Sequence, residues 1–242
     1  MATKTNRLWA IAALVLVGTS FTACLKSVDT TPSRAVAGIS IINGIVSSTG
    51  LDFFDNSTTK ATASKLPMGF GDKGYLIYGG LHEFSFTKTG TLSPVIATTS
   101  PRQYDSTFYY TLVTYGDSAH ATVVSFKEDF SSAVSTKLNI RFFNLSPTAT
   151  PVDLYLGDVK VDSNLAYIGN TALSTSFKPQ SVVSGASTIR IKAAGSTLTS
   201  PSIAETSTAN LMSGGIYTIF LAGMKDSAGP LKPQVKYVPS FY

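Results

Sequence analysis

Cysteine, histidine and charged residues are all scarce in this chain of 242 residues. The single cysteine excludes a disulfide within the chain, and two histidines leave little material for a zinc site. Charged residues make up 14%, against about 25% in an average soluble domain. The 19 Lys and Arg residues form no run, whereas nucleic-acid-binding proteins concentrate them in a patch. We therefore expect no metal, no other cofactor and no nucleic-acid partner.

A long apolar run is also lacking. The run at residues 8–18 is shorter than the roughly 20 residues that a membrane-spanning helix needs. Ser, Thr and Gly take the place of charged residues, and the apolar residues are rich in Val, Ile, Phe and Tyr. This composition favours strands and tight turns over helices.

The first residues have the order of an export signal. Lys4 and Arg7 precede the apolar run, and small residues follow it. Cys24 comes directly after the residues FTA, and this phrase resembles the lipobox of bacterial lipoproteins. The resemblance implies cleavage before Cys24 and lipidation of its thiol. Phe21 departs from that motif, which usually has an aliphatic residue there.

A second interpretation of these residues stays open, namely an ordinary signal peptide cleaved near Ala23 that leaves Cys24 as a free thiol. We predict the lipoprotein, with a signal peptide at 1–23 and a lipid anchor with a flexible tether at 24–37. The membrane is then a partner through Cys24. The localisation is the cell envelope, on the outer membrane, with the periplasmic or surface side left open.

Three phrases of the sequence occur twice in the same order. Asn43 and Asp52 are nine residues apart, as are Asn144 and Asp153. The other two phrases are GLHEFSFTKTG at 80–90 with GASTIRIKAAG at 185–195, and YTLVTYG at 110–116 with YTIFLAG at 217–223. A period of about a hundred residues is the size of a self-sufficient domain, whereas solenoid repeats are about 20–50 residues long. The chain is therefore predicted to contain a tandem repeat, at 38–130 and 138–242, with a linker at 131–137.

Each repeat reads as short strands separated by turns. In HEFSFTK, Phe84 and Phe86 alternate with polar residues, and VDLYL at 152–156 alternates in the same way. This period of two is typical of a strand with one buried face. About seven strands in each repeat predict an all-β chain of two tandem antiparallel β-sandwiches, immunoglobulin-like in architecture. A small closed barrel is the alternative.

The second repeat also resembles a known family. Its NLSP phrase, the VDLY that follows and the late YT strand are similar to domain of unknown function DUF4397, over residues 138–223. The first repeat has lost the Ser-Pro and keeps the skeleton. The resemblance implies an envelope protein, often a lipoprotein, of Bacteroidota-like bacteria, and it brings no catalytic residue.

Three patterns of residues are candidates for chemistry. The phrase GDSAH at 116–120 resembles the start of a GDS-type serine hydrolase, but Asp and Ser also recur at the matching hairpin turn of the second repeat. Asp52, Asp55 and Asn56 supply calcium-type oxygens, although the second repeat does not keep that set, which favours a solvated strand end. Asp52 and Asp153 lie in different repeats, where a structural role is expected. We predict a protein that is not an enzyme.

Exposed aromatic residues are the remaining candidates for function. Tyr75, Tyr78, Tyr109, Tyr115 and Tyr155 are candidates for outward strand faces, where tyrosine anchors partners or stacks on sugar rings. The alternative is half-buried filler within the sheets. The predicted function is a non-catalytic envelope lipoprotein that serves as an interaction or structural module. The alternative is a glycan-binding accessory lipoprotein of the outer membrane, and the partner is an envelope protein or a glycan.

Overall fold

Strands joined by turns make up most of the described chain. The computed structural model describes residues 34–59, 66–181 and 188–240, so the predicted signal peptide, Cys24 and most of the tether lie outside the described residues. Ala35–Tyr242 forms one compact unit. Two short 3-10 helices, Ile168–Asn170 and Gly229–Leu231, are the helical segments among the described residues. None of the helices described there is long and apolar enough to cross a bilayer. The prediction of an all-β chain is confirmed for these residues.

The strands fall on either side of residues 131–137. Those described in the first half are β1 (Val36–Asn43), β2 (Leu51–Asp55), β3 (Thr58–Thr59), β4 (Phe70–Tyr78), β5 (Gly80–His82), β6 (Phe84–Lys88), β7 (Val95–Thr98), β8 (Arg102–Tyr104), β9 (Tyr109–Tyr115) and β10 (Thr122–Lys127). Those described in the second half are β11 (Leu138–Asn144), β12 (Val152–Leu156), β13 (Val159–Leu165), β14 (Lys178–Gln180), β15 (Ile189–Ala193), β16 (Ala204–Thr206), β17 (Ile216–Ala222) and β18 (Gln234–Pro239). Both halves have more strands than the seven expected.

Each half contributes two four-stranded sheets. We call the sheet of each half that faces the other half the inner sheet, and the second sheet of that half the outer sheet. In the first half, the inner sheet has the order β10-β9-β1-β4 and the outer sheet the order β3-β2-β6-β7. In the second half, the inner sheet has the order β14-β11-β17-β18 and the outer sheet the order β13-β12-β15-β16. A separate pair, β5-β8, belongs to the first half.

The inner sheets are mixed rather than purely antiparallel, so the prediction of antiparallel sheets was wrong at one strand pair in each half. β1 runs parallel to β9, and β11 runs parallel to β17, with Asn43 opposite Thr114 and Asn144 opposite Leu221. Between these strands the chain leaves the inner sheet, forms the outer sheet and returns in the original direction. Two parallel strands need such a long crossover, which residue alternation does not reveal.

A hydrophobic core fills the space within each half. In the first half, Ile39 and Leu112 of the inner sheet belong to the same cluster as Phe53, Phe84 and Phe86 of the outer sheet. The three phenylalanine rings lie 5.3–5.4 Å apart between centroids, from Phe53 to each of the other two. Buried aromatic pairs of this kind contribute stabilisation beyond that of the apolar area they bury, so they stabilise the sandwich.

The second core has the same plan. Ile140 and Ile219 of the inner sheet pack with Leu154, Ile189 and Ile191 of the outer sheet. The strand VDLYL departs from the predicted alternation, since all five of its residues are buried. On its second face Asp153 binds Lys160 and the Gly195 amide, and the Tyr155 hydroxyl binds the Ser196 carbonyl, so the burial there is not apolar packing against the core.

A third core joins the two halves. It is formed by the opposite faces of the inner sheets, with Ile42 and Val113 from the first half and Phe143, Phe220 and Val238 from the second. The approach is close where β4 meets β18, because a Cβ built on Gly71 would overlap the Val238 side chain. The halves therefore share a continuous hydrophobic interface.

A buried ion pair lies within this interface. The Arg141 guanidinium donates two parallel hydrogen bonds to the Glu128 carboxylate, at 2.7 Å from Nη1 and 2.6 Å from Nη2. Nε donates to the Thr218 hydroxyl at 2.8 Å, and the Thr111 hydroxyl donates to Glu128 Oε1. Only 2% of the arginine side chain and 3% of the glutamate side chain are exposed. Residue 128 follows β10 and residue 141 lies in β11, so the pair links the halves.

Aromatic rings surround this guanidinium. Its Cζ lies 4.4 Å from the centroid of Phe177, 5.0 Å from Phe126 and 5.3 Å from Phe143. Arginine suits such a site because its planar group can bind a carboxylate at two points and stack on rings at the same time.

Arg141→Ala is expected to lower the free energy of unfolding by about 3–5 kcal/mol, because Glu128 is left as a buried charge without its partner. Urea denaturation measures this loss. Lys178→Ala is the matched control, since it removes an exposed ion pair to Asp162, and such pairs contribute about 1 kcal/mol or less. A loss from Arg141→Ala no larger than that of the control would contradict the role assigned to the pair.

Candidate functional site

The side chains of the two repeated asparagines form hydrogen bonds with the backbone. The Asn43 side chain donates to the Leu66 carbonyl at 2.8 Å and accepts from the Ile45 amide at 3.0 Å. Asn144 accepts from the Ser146 amide at 3.1 Å and donates to the Leu165 carbonyl at 3.2 Å. Both side chains therefore fix the turn that follows the first inner strand of their half.

The repeated aspartates have an equally structural position. Asp52 Oδ2 accepts from the Gly90 amide at 2.8 Å, and Asp153 Oδ2 accepts from the Gly195 amide at 3.1 Å. Both glycines have a φ near +80°, which suits residues without a Cβ. The halves differ in the second oxygen: that of Asp153 accepts from the Asn164 amide at 3.0 Å, whereas that of Asp52 is buried without a hydrogen-bond partner among the described residues.

The Asp153 carboxylate also contacts a cation. Lys160 Nζ lies 2.6 Å from its Oδ2. Burial raises the pKa of Asp153, but the hydrogen bonds from Lys160 and from the amides of Asn164 and Gly195 outweigh it, so the pKa lies below its ordinary value. The folded protein therefore holds this group ionised.

The GDSAH phrase forms a turn. Asp117 Oδ1 accepts from the amides of Ala119 and His120, at 2.7 and 2.8 Å. These two amides, followed by the contact with the His120 side chain, hold the pKa of Asp117 below its usual value. The aspartate therefore closes the hairpin between β9 and β10.

The prediction that Asp52, Asp55 and Asn56 form a solvated strand end is wrong for the two aspartates. Asp52 and Asp55 are buried, and Asp55 Oδ1 lies 2.6 Å from His82 Nδ1. The other ring nitrogen of His82 lies 2.8 Å from the Tyr78 carbonyl oxygen, and this histidine is half-buried. Within the described residues no group of three or more metal-binding side chains is found.

The five candidate tyrosines do not form one platform. Tyr75 faces the first core with its ring 5.3 Å from Phe53 in a T-shaped arrangement. Burial, and secondly the Asp72 carboxylate, raise its pKa. Tyr155 is buried, and its hydroxyl donates to the Ser196 carbonyl at 3.4 Å. These two are therefore part of the structure of their sheets.

The other three tyrosines differ in position. Tyr115 packs against the third core, with its ring 6.0 Å from Tyr167 of the other half. Tyr78 is 52% exposed and Tyr109 is 38% exposed, on the two strands that flank β1. Tyr78 lies opposite Val36, and Tyr109 lies opposite Gly38 on the other side of β1. Of the five, only Tyr78 and Tyr109 present much of their surface to solvent.

An open depression lies where β9 begins and β10 ends, and we call it the aromatic depression. It has a volume of about 550 Å³. Its lining consists of Thr107, Phe108, Tyr109, Lys127, Glu128, Asp129 and Phe130. Tyr109 is among the residues predicted from the sequence, whereas Phe108 and Phe130 are not, because only tyrosines were candidates. The aromatic run FYY at 108–110 and the acidic-aromatic run EDF at 128–130 are the signals that were present.

The floor of the aromatic depression is connected to the buried ion pair. Phe130 lies 6.3 Å from the Tyr109 ring on one side and 5.8 Å from the Phe177 ring on the other, where it is stacked. Phe177 in turn packs on the Arg141 guanidinium. The rings are thus supported by the interface between the halves.

Comparison with known families adds one finding. The family described as a domain of unknown function, DUF4397, matches residues 37–155. A DUF4397 domain lies at residues 37–155. A search of curated proteins finds no match.

The DUF4397 match does not follow the boundaries expected from the sequence. It covers all of the first half and continues through β11 into β12, whereas the sequence pattern placed the resemblance mainly at 138–223. The aromatic depression lies within the matched residues. So do Asn43, Asp52 and their counterparts in β11 and β12.

Asp153→Asn in the second half is expected to destabilise the protein by about 2 kcal/mol at pH 7, because a buried ionised acceptor is lost. A lowered pKa in the folded state gives stability that is present above the unfolded pKa of about 3.9 and is lost as the pH falls through the folded value. The difference in unfolding free energy between wild type and variant should therefore shrink below about pH 4.

Urea denaturation between pH 7 and pH 2.5 measures this difference. Asp158→Asn serves as the control, since its carboxylate is exposed and bound to Arg190 at 2.7 Å. A constant gap between wild type and Asp153→Asn at every pH would show that the carboxylate charge does not contribute.

Proposed function

We propose that this protein is a non-catalytic lipoprotein of the cell envelope that serves as an interaction module built from two tandem immunoglobulin-like sandwiches. The observation that carries the proposal is that the side chains of the repeated polar residues already form hydrogen bonds with the backbone. Asn43, Asn144, Asp52 and Asp153 bind the backbone of their own half. The sequence skeleton that recurs thus supports the fold and leaves binding to the surface.

The tandem arrangement is supported by matching topology. Each inner sheet pairs its first strand in parallel with its late strand, β1 with β9 and β11 with β17. Each aspartate binds a glycine amide in the turn that follows the neighbouring strand of its outer sheet, β6 in the first half and β15 in the second. Such agreement is expected of two copies of one domain and not of one sandwich with extra strands.

The localisation of the protein is proposed from its N-terminal sequence. Lys4, Arg7 and the apolar run form an export signal, and the cysteine after FTA is the acceptor for acyl chains. Each buried CH₂ of such chains contributes about 0.8 kcal/mol to membrane binding, so more than one chain anchors a protein stably. The family resemblance favours the outer membrane of a Bacteroidota-like bacterium.

Cys24→Ala is expected to abolish membrane attachment while the folded part is retained. The measurement is membrane fractionation and intact mass of the full chain expressed in a related bacterium. Wild type should fractionate with membranes at the mass of a chain that begins at Cys24 with acyl groups. Ser20→Ala is the matched control, because it leaves the acceptor thiol in place. Soluble wild type, cleaved at the same residue as the variant, would contradict the anchor.

A further inference from the structure

We propose that the aromatic depression binds a neutral oligosaccharide, with the exposed rings of Phe108 and Tyr109 stacking on sugar rings and Phe130 packed beside them. The inference deepens the proposed function, since it rests on the protein being a binding module and names the ligand class and the site. The site is supplied by two short stretches of the first half, residues 107–109 where β9 begins and residues 127–130 where β10 ends.

The rings are exposed although the described residues form three hydrophobic cores that could bury them. Phe108 is 42% exposed and Tyr109 is 38% exposed, and Phe130 is half-buried beside them. Small-molecule sites have this character, with aromatic walls and a few polar groups. The volume of about 550 Å³ lies within the roughly 300–1,000 Å³ of such sites.

The backbone at the edge of the aromatic depression is strained. Thr107 has a φ of +71°, in the left-handed region that branched side chains avoid. Its amide donates to the Val36 carbonyl at 2.8 Å, which holds this conformation. Strain of this kind costs about 1–3 kcal/mol and concentrates at functional sites. Here it sets the position of the adjacent Phe108.

The polar groups around the rings are balanced in charge. Lys127 Nζ lies 3.1 Å from the centroid of Phe108, so an ammonium group lies at the ring. Asp129 accepts from the Ser131 amide at 2.9 Å, and this hydrogen bond holds its pKa below the ordinary value. Glu128 also lines the aromatic depression, but its carboxylate is bound to Arg141.

One ammonium and one carboxylate at the rim favour a ligand without net charge. Sugar hydroxyls can accept from Lys127 and donate to Asp129, while the C–H face of the sugar lies on an aromatic ring. An anionic ligand would meet the Asp129 charge, and a cationic ligand would meet Lys127. A protein partner usually covers about 800 Å² with some 20–30 residues on each side, whereas seven residues line this site.

The test is isothermal titration calorimetry of the full chain in detergent against neutral hexasaccharides of glucose, xylose, mannose and N-acetylglucosamine. We expect heat of binding with at least one of them. Phe108→Ala and Tyr109→Ala should each weaken the affinity at least tenfold. Asp129→Asn should weaken it several-fold, since the amide keeps the shape and loses the charge. Thermal unfolding of each variant reports whether the fold is retained.

Tyr78→Ala is the matched control, because it removes an exposed tyrosine from the same sheet outside the aromatic depression. Its affinity should equal that of wild type. The inference is overturned if the folded protein binds none of the four hexasaccharides. It is also overturned if Phe108→Ala and Tyr109→Ala bind as tightly as Tyr78→Ala. If these two variants instead lose cross-linking to an envelope protein in cells, the site is one for a protein partner.

Failure of the inference and failure of the proposed function give different results. Membrane fractionation of wild type and Cys24→Ala tests the envelope lipoprotein and does not involve the aromatic depression. Membrane attachment without hexasaccharide binding would reject the ligand class and keep the lipoprotein. Hexasaccharide binding by a freely soluble wild type would reject the lipoprotein and keep the ligand class.

Discussion

The Arg141–Glu128 ion pair lies where the faces of the two inner sheets meet, and these charges stay paired only while the halves stay packed together. Both groups are removed from water, so each depends on the other for its stabilisation. Glu128 belongs to the end of the first half and Arg141 to the first strand of the second. Separating the halves would expose the third hydrophobic core and break this pair in one step. The interface is therefore part of the fold, in contrast to the loose contacts common between tandem domains.

The same interaction positions the candidate binding site. Residues 127–130 leave the inner sheet beside the ion pair, and Phe130 stacks on the ring of Phe177, which covers the arginine. A binding surface needs side chains that are already fixed, because each side chain immobilised on binding reduces the affinity. The interface between the halves thus provides the rigid support that an exposed pair of rings lacks by itself.

Local elements could be predicted from the sequence, and contacts between elements could not. The positions of the strands VDLYL and FSFTK follow from alternation, although VDLYL is buried on both faces, and the left-handed glycines at 90 and 195 suit the turns that end the repeated phrases. The roles of Asp52 and Asp153 were expected to be structural, and their contacts with glycine amides agree with that. The parallel pairs and the third core depend on distant residues, so alternation within one strand carries no signal for them. Arg141 in the apolar strand LNIRFFN is a local sign of a buried charge that was not among the predicted site residues.

The most direct test of the shared fold is hydrogen exchange with mass spectrometry during urea unfolding of the full chain. Peptides that contain β2 and β6 report the first outer sheet, and those that contain β12 and β15 report the second. If the interface makes the halves one cooperative unit, both sets of amides lose protection at the same urea concentration and with the same slope. Two separate midpoints in wild type would show that the halves unfold independently and would contradict the account.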